Sequence, residues 1–410
     1  MTLRSTFIAF LLLAATLVAA QEPDTPPRFF LDAIAVEGVR YASERVIVAE
    51  TRLQAGREYT EAEIRAGAAR ATRLPFVVRI DPRIEKGGQR GAYRLVLAVT
   101  ETRPLFFGAT YFGRDADPDV RQLTTGARMF LGRSGMLHGA VTTDLEDKLY
   151  EIGYTQYDLF GSGVFISAAA EYGEELEEAP HGAFTAGITD KISGQVVVGV
   201  PLRGNHALRA TFLATPVVVL NDRPLDEVEI EESYVVERST TAELSWIYDS
   251  TDDPLFTMRG TRSVLGLIRR EIPYVVPGIG PGVPGEHKND LHRVVTADVR
   301  RLWSPAPRHA VSARGGGQHL RRTIGEIGRR DVINSAFVGT SYNYAIWGPD
   351  RPSRFGDLRL EAGLVHQYTR YEYGDFFQAK VQQSFARVNL LFRNEWGLVR
   401  LGFEVEHDHE

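Results

Sequence analysis

The sequence predicts a mainly β protein in which a transmembrane antiparallel β-barrel follows a small α+β domain. Three observations predict this fold class. Helical periodicity is confined to residues 43–74, and beyond Leu105 apolar and polar residues alternate with a period of two. The alternating spans are about ten residues long, and the connections between them are of unequal length, as in outer-membrane barrels. Beyond the first twenty residues, no apolar run reaches the roughly 18 residues expected of a membrane-spanning helix.

The N-terminal residues have the pattern of a cleavable export signal. Arg4 is the only charged residue before Gln21, and an unbroken apolar run follows from Phe7 to Leu13. Val18 and Ala20 place small side chains at the two positions that a signal peptidase reads. The apolar stretch is shorter than the roughly 20 residues of a spanning helix, which favours a signal peptide over an anchor. We predict a signal peptide at 1–20 and a proline-rich linker at 21–28.

Composition and motifs argue against several classes of function. The formal net charge of −6 argues against nucleic acid as a partner. The chain contains no cysteine, which excludes disulfides and lipid attachment at a cysteine. A nucleophile elbow and a phosphate-binding loop are both missing. We therefore predict that the protein is not an enzyme and that it uses no cofactor and no metal.

Residues 29–103 form one predicted α+β unit with the order β-α-α-β-β. Its second helix has the clearest start, because Thr60 and Glu63 have the spacing of a capping box. Pro75 ends that helix, since proline cannot continue a helical hydrogen-bond ladder. The predicted elements are a strand at 30–39, helices at 43–53 and 60–74, and strands at 76–84 and 93–101.

Residues 105–410 form the predicted barrel. In the stretch 357–364, for example, Leu358 and Leu360 alternate with Arg359 and Glu361. A soluble β-sandwich produces the same alternation, but a lipid-facing barrel also accepts Gly, Glu and Arg on its lumenal face. Aromatic residues near strand ends and a mixture of tight and long connections favour the barrel. At roughly 19 residues per strand and connection we predict about sixteen strands, with long connections at 173–182, 221–233 and 277–289.

The α+β unit resembles a polypeptide-transport-associated (POTRA) domain. Such domains precede the barrel in the bacterial surface antigen, or outer-membrane assembly factor, superfamily. The barrel is similar to the same superfamily in an early hairpin at 150–163 and in an acidic hairpin at 248–260. The residues that match a POTRA domain are Ile34, Val36, Glu37, Gly38, Leu53, Gly56, Tyr59, Ile64, Ala68, Leu74, Phe76, Val78, Leu95, Leu97, Val99 and Glu101.

The resemblance implies a protein of the outer membrane, with its soluble domain in the periplasm, that inserts, assembles or translocates polypeptides. Its partners would be the lipid bilayer, unfolded outer-membrane or secreted polypeptides, and periplasmic assembly proteins. Such a polypeptide, the client, would add a strand to the edge strand at 76–84 and then meet the barrel seam between 105–113 and 396–405. The client-binding residues that this predicts are Phe76, Val78, Ile80, Gly108, Gly113, Gly397 and Gly402.

Other functions stay open at this point. A passive or selective channel would suit the lumenal Glu and Arg residues, with the small domain as a periplasmic anchor. The superfamily's Arg-Gly-aromatic loop tip has no match, since Arg314-Gly315 continues into further glycines, and this favours the channel. A two-partner secretion transporter and a surface enzyme rank lower. The acidic stretch Asp249–Asp253 is interpreted as a solvated turn, because its spacing fits no EF-hand calcium loop.

Overall fold

The computed structural model of the chain shows a small α+β domain beside a closed β-barrel. The signal peptide predicted at 1–20 lies outside the described residues, as does most of the linker predicted at 21–28. Within the described residues, no helix combines the length and the apolar character needed to cross a membrane. The structure describes residues 27–114, 117–132, 134–144, 147–176, 188–221, 235–236, 239–253, 257–276, 286–324, 329–348, 356–373 and 377–409.

The small domain is a four-stranded sheet covered on one face by two helices. Its strand order is β2-β1-β4-β3, in which β1 and β4 are parallel and the other neighbours are antiparallel. The order of helices and strands is the predicted one with one addition, the short strand β2 between the helices. The elements are β1 (Arg28–Glu37), α1 (Glu44–Thr51), β2 (Arg57–Thr60), α2 (Glu61–Ala71), β3 (Val77–Lys86) and β4 (Ala92–Glu101).

Two features fix the helices and the core of this domain. Thr60 and Glu63 form the capping box at the start of α2: the Glu63 amide donates to Thr60 Oγ1, and the Thr60 amide donates to the Glu63 carboxylate. The apolar faces of both helices then pack on the sheet through Ile47, Ile64 and Leu95, which are all fully buried or nearly so.

The barrel contains fifteen strands, and the sheet includes a further two-residue strand, β12, which pairs only with β11. The strands are β5 (Leu105–Arg114), β6 (Asp117–Leu131), β7 (Gly135–Asp144), β8 (Asp147–Leu159), β9 (Val164–Leu176), β10 (Ile188–Pro201), β11 (His206–Asn221), β12 (Val235–Val236), β13 (Ser239–Asp249), β14 (Gly260–Val276), β15 (Glu286–Ala306), β16 (His309–Ile324), β17 (Arg329–Trp347), β18 (Asp357–Tyr373), β19 (Phe377–Asn394) and β20 (Gly397–His409).

The predicted fold class is confirmed, and two details differ from the prediction. The barrel has fifteen strands rather than about sixteen, because several strands are longer than predicted, up to the 21 residues of β15. Successive strands reverse direction, so the first and last of an odd number run the same way. The closing pair of β20 and β5 is therefore parallel, whereas every other pair in the barrel is antiparallel.

Side chains alternate between the two faces of the barrel wall as the pattern predicts. On β18, the outward-facing Leu360 and Leu364 are 37% and 63% exposed, while the lumenal Arg359 is 2% exposed. The same alternation places Leu244, Leu265 and Phe403 on the outer face. An outer wall of large apolar side chains is the wall that a lipid environment stabilises.

The small domain lies against one rim of the barrel, called the proximal rim below. Short connections return the chain at this rim, including 160–163, 202–205 and 395–396. The strands that flank the long connections predicted at 173–182, 221–233 and 277–289 meet these connections at the opposite rim, and the connections themselves lie mostly outside the described residues.

Candidate functional site

Strand β3 forms an open edge of the small domain. It is the last strand of the sheet, and in the described part of the chain no strand pairs with its outer side. The Gly87 amide donates to the Ala92 carbonyl (3.0 Å), and the register continues along β3 and β4 without a shift from Arg79 to Lys86. Hydrogen-bonded pairs alternate in an antiparallel ladder, so the backbone groups of Ile80, Pro82 and Ile84 point outwards.

An apolar groove runs beside this edge, between β3 and α2. Its volume is about 530 Å³. Ile80, Pro82 and Ile84 line one wall, and residues of α2 such as Ile64 and Ala69 line the other. The outward backbone groups and the groove therefore lie side by side, which is the arrangement that binds an extended peptide by strand addition.

Three of the predicted client-binding residues, Phe76, Val78 and Ile80, lie on β3 or directly before it, and their surroundings differ. Ile80 lines the groove. Phe76 is 1% exposed and packs edge-to-face on Phe130 of β6 and on Tyr157 of β8, with ring centroids 4.9 and 5.7 Å apart. Val78 is as buried as Ile80, each being 7% exposed, but it is not part of the groove lining. Phe76 thus joins the small domain to the barrel, and Ile80 is the member of the three that faces the groove.

The four predicted glycines all lie at the seam between β5 and β20. Gly397 is opposite Phe107, Gly108 opposite Leu398, Gly402 opposite Phe112, and Gly113 opposite Phe403. The paired stretch ends at Glu404 opposite Arg114, which makes this the shortest register between neighbouring strands of the described barrel wall. The prediction of a seam at these positions therefore agrees with the pairing.

The proximal end of the seam is attached to the linker from the small domain. The Arg103 amide donates to the Glu395 carbonyl (2.6 Å), and its guanidinium pairs with the Glu395 carboxylate (2.9 Å) and lies 5.0 Å from the ring centre of Trp396. The hydrogen bond from Arg103 lowers the pKa of Glu395. This contact carries no sequence signal, because neither residue belongs to a periodic pattern.

Arginines of the small domain hold it on the proximal rim. Arg52 donates to the carbonyls of Leu202 (2.6 Å) and Gly204 (2.5 Å), in the turn between β10 and β11. Arg70 donates to Asn205 Oδ1 in the same turn (2.8 Å), and burial lowers the pKa of Arg70 to about 10. Guanidinium groups suit this role because they offer several donors in a fixed plane.

The turn between β13 and β14 is the acidic stretch interpreted from sequence as a solvated turn. We call its described residues, Ser250–Asp253 and Thr257–Arg259, the mouth turn. It is not simply solvated: Asp252 Oδ1 accepts from the amides of Met258 (2.9 Å) and Arg259 (3.2 Å), which closes the turn on itself. Arg73 of the small domain donates to the carbonyl of Thr251 at its start (3.4 Å).

The mouth turn also reaches the opposite wall of the lumen. Arg393 of β19 forms a bidentate pair with Asp253 (3.1 and 2.8 Å) and a further bond to Asp357 (2.9 Å). Arg359 of β18 donates to the Thr257 carbonyl (3.2 Å). Both arginines are lumenal and nearly fully buried, so the mouth turn lies inside the proximal mouth of the barrel.

Several further charges on the lumenal wall form ion pairs. Arg300 pairs with Glu361 (3.0 Å), and Arg322 with Asp290 (2.6 Å). The Arg314 singled out from sequence lies on β16 and pairs with Asp298 across to β15. Across the described residues, no cluster of three or more His, Cys, Asp or Glu has the arrangement of a metal site.

Comparisons with known proteins give weak similarities. No protein-family model matches the chain, and no curated protein matches it. Three solved structures are similar over most of its length: BamA from Haemophilus ducreyi lacking POTRA domains 1–3 (13% identity, TM-score 0.48, 94% of this chain and 82% of that one); CdiB from Acinetobacter baumannii (10%, 0.39, 93% and 74%); and FpvA from P. aeruginosa bound to pyoverdines (9%, 0.34, 78% and 58%). At these values the fold assignment rests on the strand order and register of the chain itself.

Proposed function

We propose that the protein is an outer-membrane barrel that inserts or translocates polypeptides, with its small domain in the periplasm. The observation that carries the proposal is the open edge of β3 beside an apolar groove at the mouth of the barrel. The groove includes Asp252 of the mouth turn in its lining, so a client held there already touches the barrel. The resemblance to POTRA domains and to the outer-membrane assembly factor superfamily supports the same function.

Capture is the first step. An extended client adds a strand to β3 and bonds to the outward backbone groups of Ile80 and Ile84, while alternate apolar side chains enter the groove. Backbone pairing is indifferent to sequence, so many unfolded outer-membrane polypeptides fit. Each net hydrogen bond contributes only about 1 kcal/mol, which keeps capture reversible.

Transfer at the seam is the second step. The β5–β20 pair is the one interface of the described barrel that is both parallel and short, and parallel ladders are slightly less stable per residue. Lipid offers no hydrogen-bond partners to the open edge of a strand. The strands β5 and β20 therefore stay paired until a client strand takes the place of one of them.

The proposal is tested by folding a small eight-stranded outer-membrane barrel, diluted from urea, into liposomes that contain the purified protein. We expect faster folding than in empty liposomes, measured by the gel mobility of unheated samples. Ala69→Glu, which places a charge in the groove, should remove the acceleration. Ala62→Glu on the exposed face of the same helix is the matched control and should retain it. Equal rates with and without the protein would refute the proposal.

A channel is the second candidate, and the lumen is the observation that favours it. Paired charges such as Arg300 with Glu361 line a wall of fifteen strands, and somewhat larger barrels enclose aqueous pores. Recording in planar bilayers discriminates between the two functions. A large, steady conductance of the wild-type protein favours the channel. A closed wild type is expected for the insertion role, because the mouth turn occupies the proximal mouth.

A further inference from the structure

The mouth turn connects two places that the proposed function uses separately. Asp252 lines the groove between α2 and β3, and the next residue, Asp253, binds Arg393 inside the lumen. Arg393 lies on β19, and β19 is the antiparallel neighbour of β20, one strand of the seam. Two consecutive residues thus face the client groove on one side and the strand behind the seam on the other.

We propose that the mouth turn is a clasp that communicates client occupancy of the groove to the seam. The inference rests on the proposed function and adds its regulation. The clasp consists of the bidentate pair of Asp253 with Arg393 and the bond from Arg359 to the Thr257 carbonyl. A client strand beside β3 competes with Asp252 for the space at the groove wall. Displacement of Asp252 removes the two amide bonds that close the turn and so weakens the clasp.

The attachments of the turn give the direction of the effect. Its near end is held by the small domain, since Arg73 binds the Asp249 carbonyl (3.0 Å), the Asp249 carboxylate (3.0 Å) and the Thr251 carbonyl (3.4 Å). Arg73 directly follows Thr72, which lines the groove at the end of α2. Movement at the groove therefore reaches the turn from both Asp252 and Arg73, whereas its far contacts belong to the barrel wall.

Release of the clasp removes the bidentate bond of Arg393 to Asp253 and leaves its bond to Asp357 on the adjacent strand β18 in place. The Arg393–Asp357 pair lies within the barrel wall, so the tie that Asp253 makes between the β13–β14 hairpin and β19 is lost. One event at the groove thus reaches β19, the strand beside the seam.

Linkage makes the inference testable. Client binding and the clasp oppose each other in this proposal, so client affinity is lower with the clasp formed than with it broken. The ratio of the two affinities is the coupling, and couplings of this kind are typically about fivefold or more. The probe is a fluorescent extended peptide of alternating valine and threonine with lysines at its ends, titrated onto the full-length protein in detergent micelles. Asp253→Asn should bind the peptide about fivefold more tightly than wild type.

Two controls isolate the clasp. Asp298→Asn removes the same charge from another lumenal pair, that with Arg314, which among the described residues forms no bond to the mouth turn. Its peptide affinity should equal that of wild type. Thr257→Cys places a single thiol in a chain without cysteine, at a side chain that is 7% exposed. Peptide should accelerate modification of that thiol, and Asp253→Asn should accelerate it without peptide.

The outcomes distinguish the clasp from the capture site. Tighter binding by Asp253→Asn together with faster thiol modification supports the clasp. A second possible result is that the peptide binds wild type but not Ala69→Glu, that Asp253→Asn binds it with wild-type affinity, and that the rate of thiol modification is unchanged. That result overturns the clasp and leaves the proposed function standing. Absence of peptide binding to every protein tested, wild type included, overturns both the clasp and the proposed function.

Discussion

Gly397 and Phe107 approach each other so closely at the proximal end of the seam that a Cβ atom on Gly397 would lie 1.7 Å from the Phe107 carbonyl oxygen. The clash would involve backbone, which cannot rotate away as a side chain does. The Phe107 amide meanwhile donates to the Trp396 carbonyl (2.9 Å) and fixes the same two strands at that distance. Glycine at 397 is thus a condition for closing the barrel at this end.

Gly397→Ala should weaken the seam. The added methyl group forces β20 away from β5, and overpacking of this kind costs about 1–3 kcal/mol. We expect the unheated, compact gel band to disappear at a lower temperature than in wild type. Gly108→Ala is the matched control, because the nearest atoms to its Cβ would be 3.7 Å away, an ordinary contact. Equal losses in the two variants would show that the close approach at Gly397 has no role in closure.

Local pattern predicted much of the fold. Leu360 and Arg359 already show in the sequence which face of β18 meets lipid and which meets the lumen, because the two-residue period needs no knowledge of the neighbouring strands. Capping by Thr60 and Glu63 is equally local, since the partners are three residues apart. The position of the seam followed from chain order alone.

Strand number and the far contacts of the site could not be predicted in this way. Fifteen and sixteen strands have the same alternation and differ only in strand and connection lengths, so the parallel closure has no local signature. The mouth turn looked solvated because its partners, Arg359 and Arg393, are 102 and 140 residues distant from the atoms they bind. The packing of Phe76 on Phe130 could not be predicted for the same reason, since nothing near Phe76 in sequence indicates Phe130.

Phe76 and Phe130 should be energetically coupled. Each single change to alanine removes the same edge-to-face contact, and loss of a buried Phe side chain costs about 3–5 kcal/mol. We expect the small domain to detach, so that protease cuts the linker 102–104 faster in either variant. The double variant should be less impaired than the sum of the two, with a coupling of about 1 kcal/mol.

The control for this cycle is Phe29→Ala, which removes an edge-to-face contact with Tyr93 inside the small domain. Its effect should add to that of Phe130→Ala. Strict additivity for Phe76 and Phe130 as well would mean that their ring contact does not hold the domain to the barrel.

The small domain should become less stable as the pH rises above the acid range. Burial raises the pKa of Glu50 above its ordinary value of 4.5, and it does so although Arg52, Arg73 and Arg70 act in the opposite direction. Between 4.5 and the raised pKa the folded state keeps a proton that the unfolded state has lost, so stability falls as the pH increases through this window. Linker cleavage should therefore accelerate from the lower to the upper end of the window. Glu50→Gln should flatten the profile, and an unchanged slope in that variant would assign the pH dependence to another group.

Pro82→Val should strengthen client capture. The backbone of residue 82 points outwards from β3, but proline has no N–H, so an added strand loses one donor at the centre of the open edge. Valine supplies that donor and keeps an apolar side chain on the groove wall. One net hydrogen bond contributes about 0.5–1.5 kcal/mol, so the affinity for the valine-threonine peptide should rise about twofold to tenfold. Arg83→Val is the matched control, because the amide of residue 83 already points to β4 and the same side chain adds no outward donor. If Arg83→Val binds the peptide more tightly than wild type and Pro82→Val does not, the client pairs with a different edge.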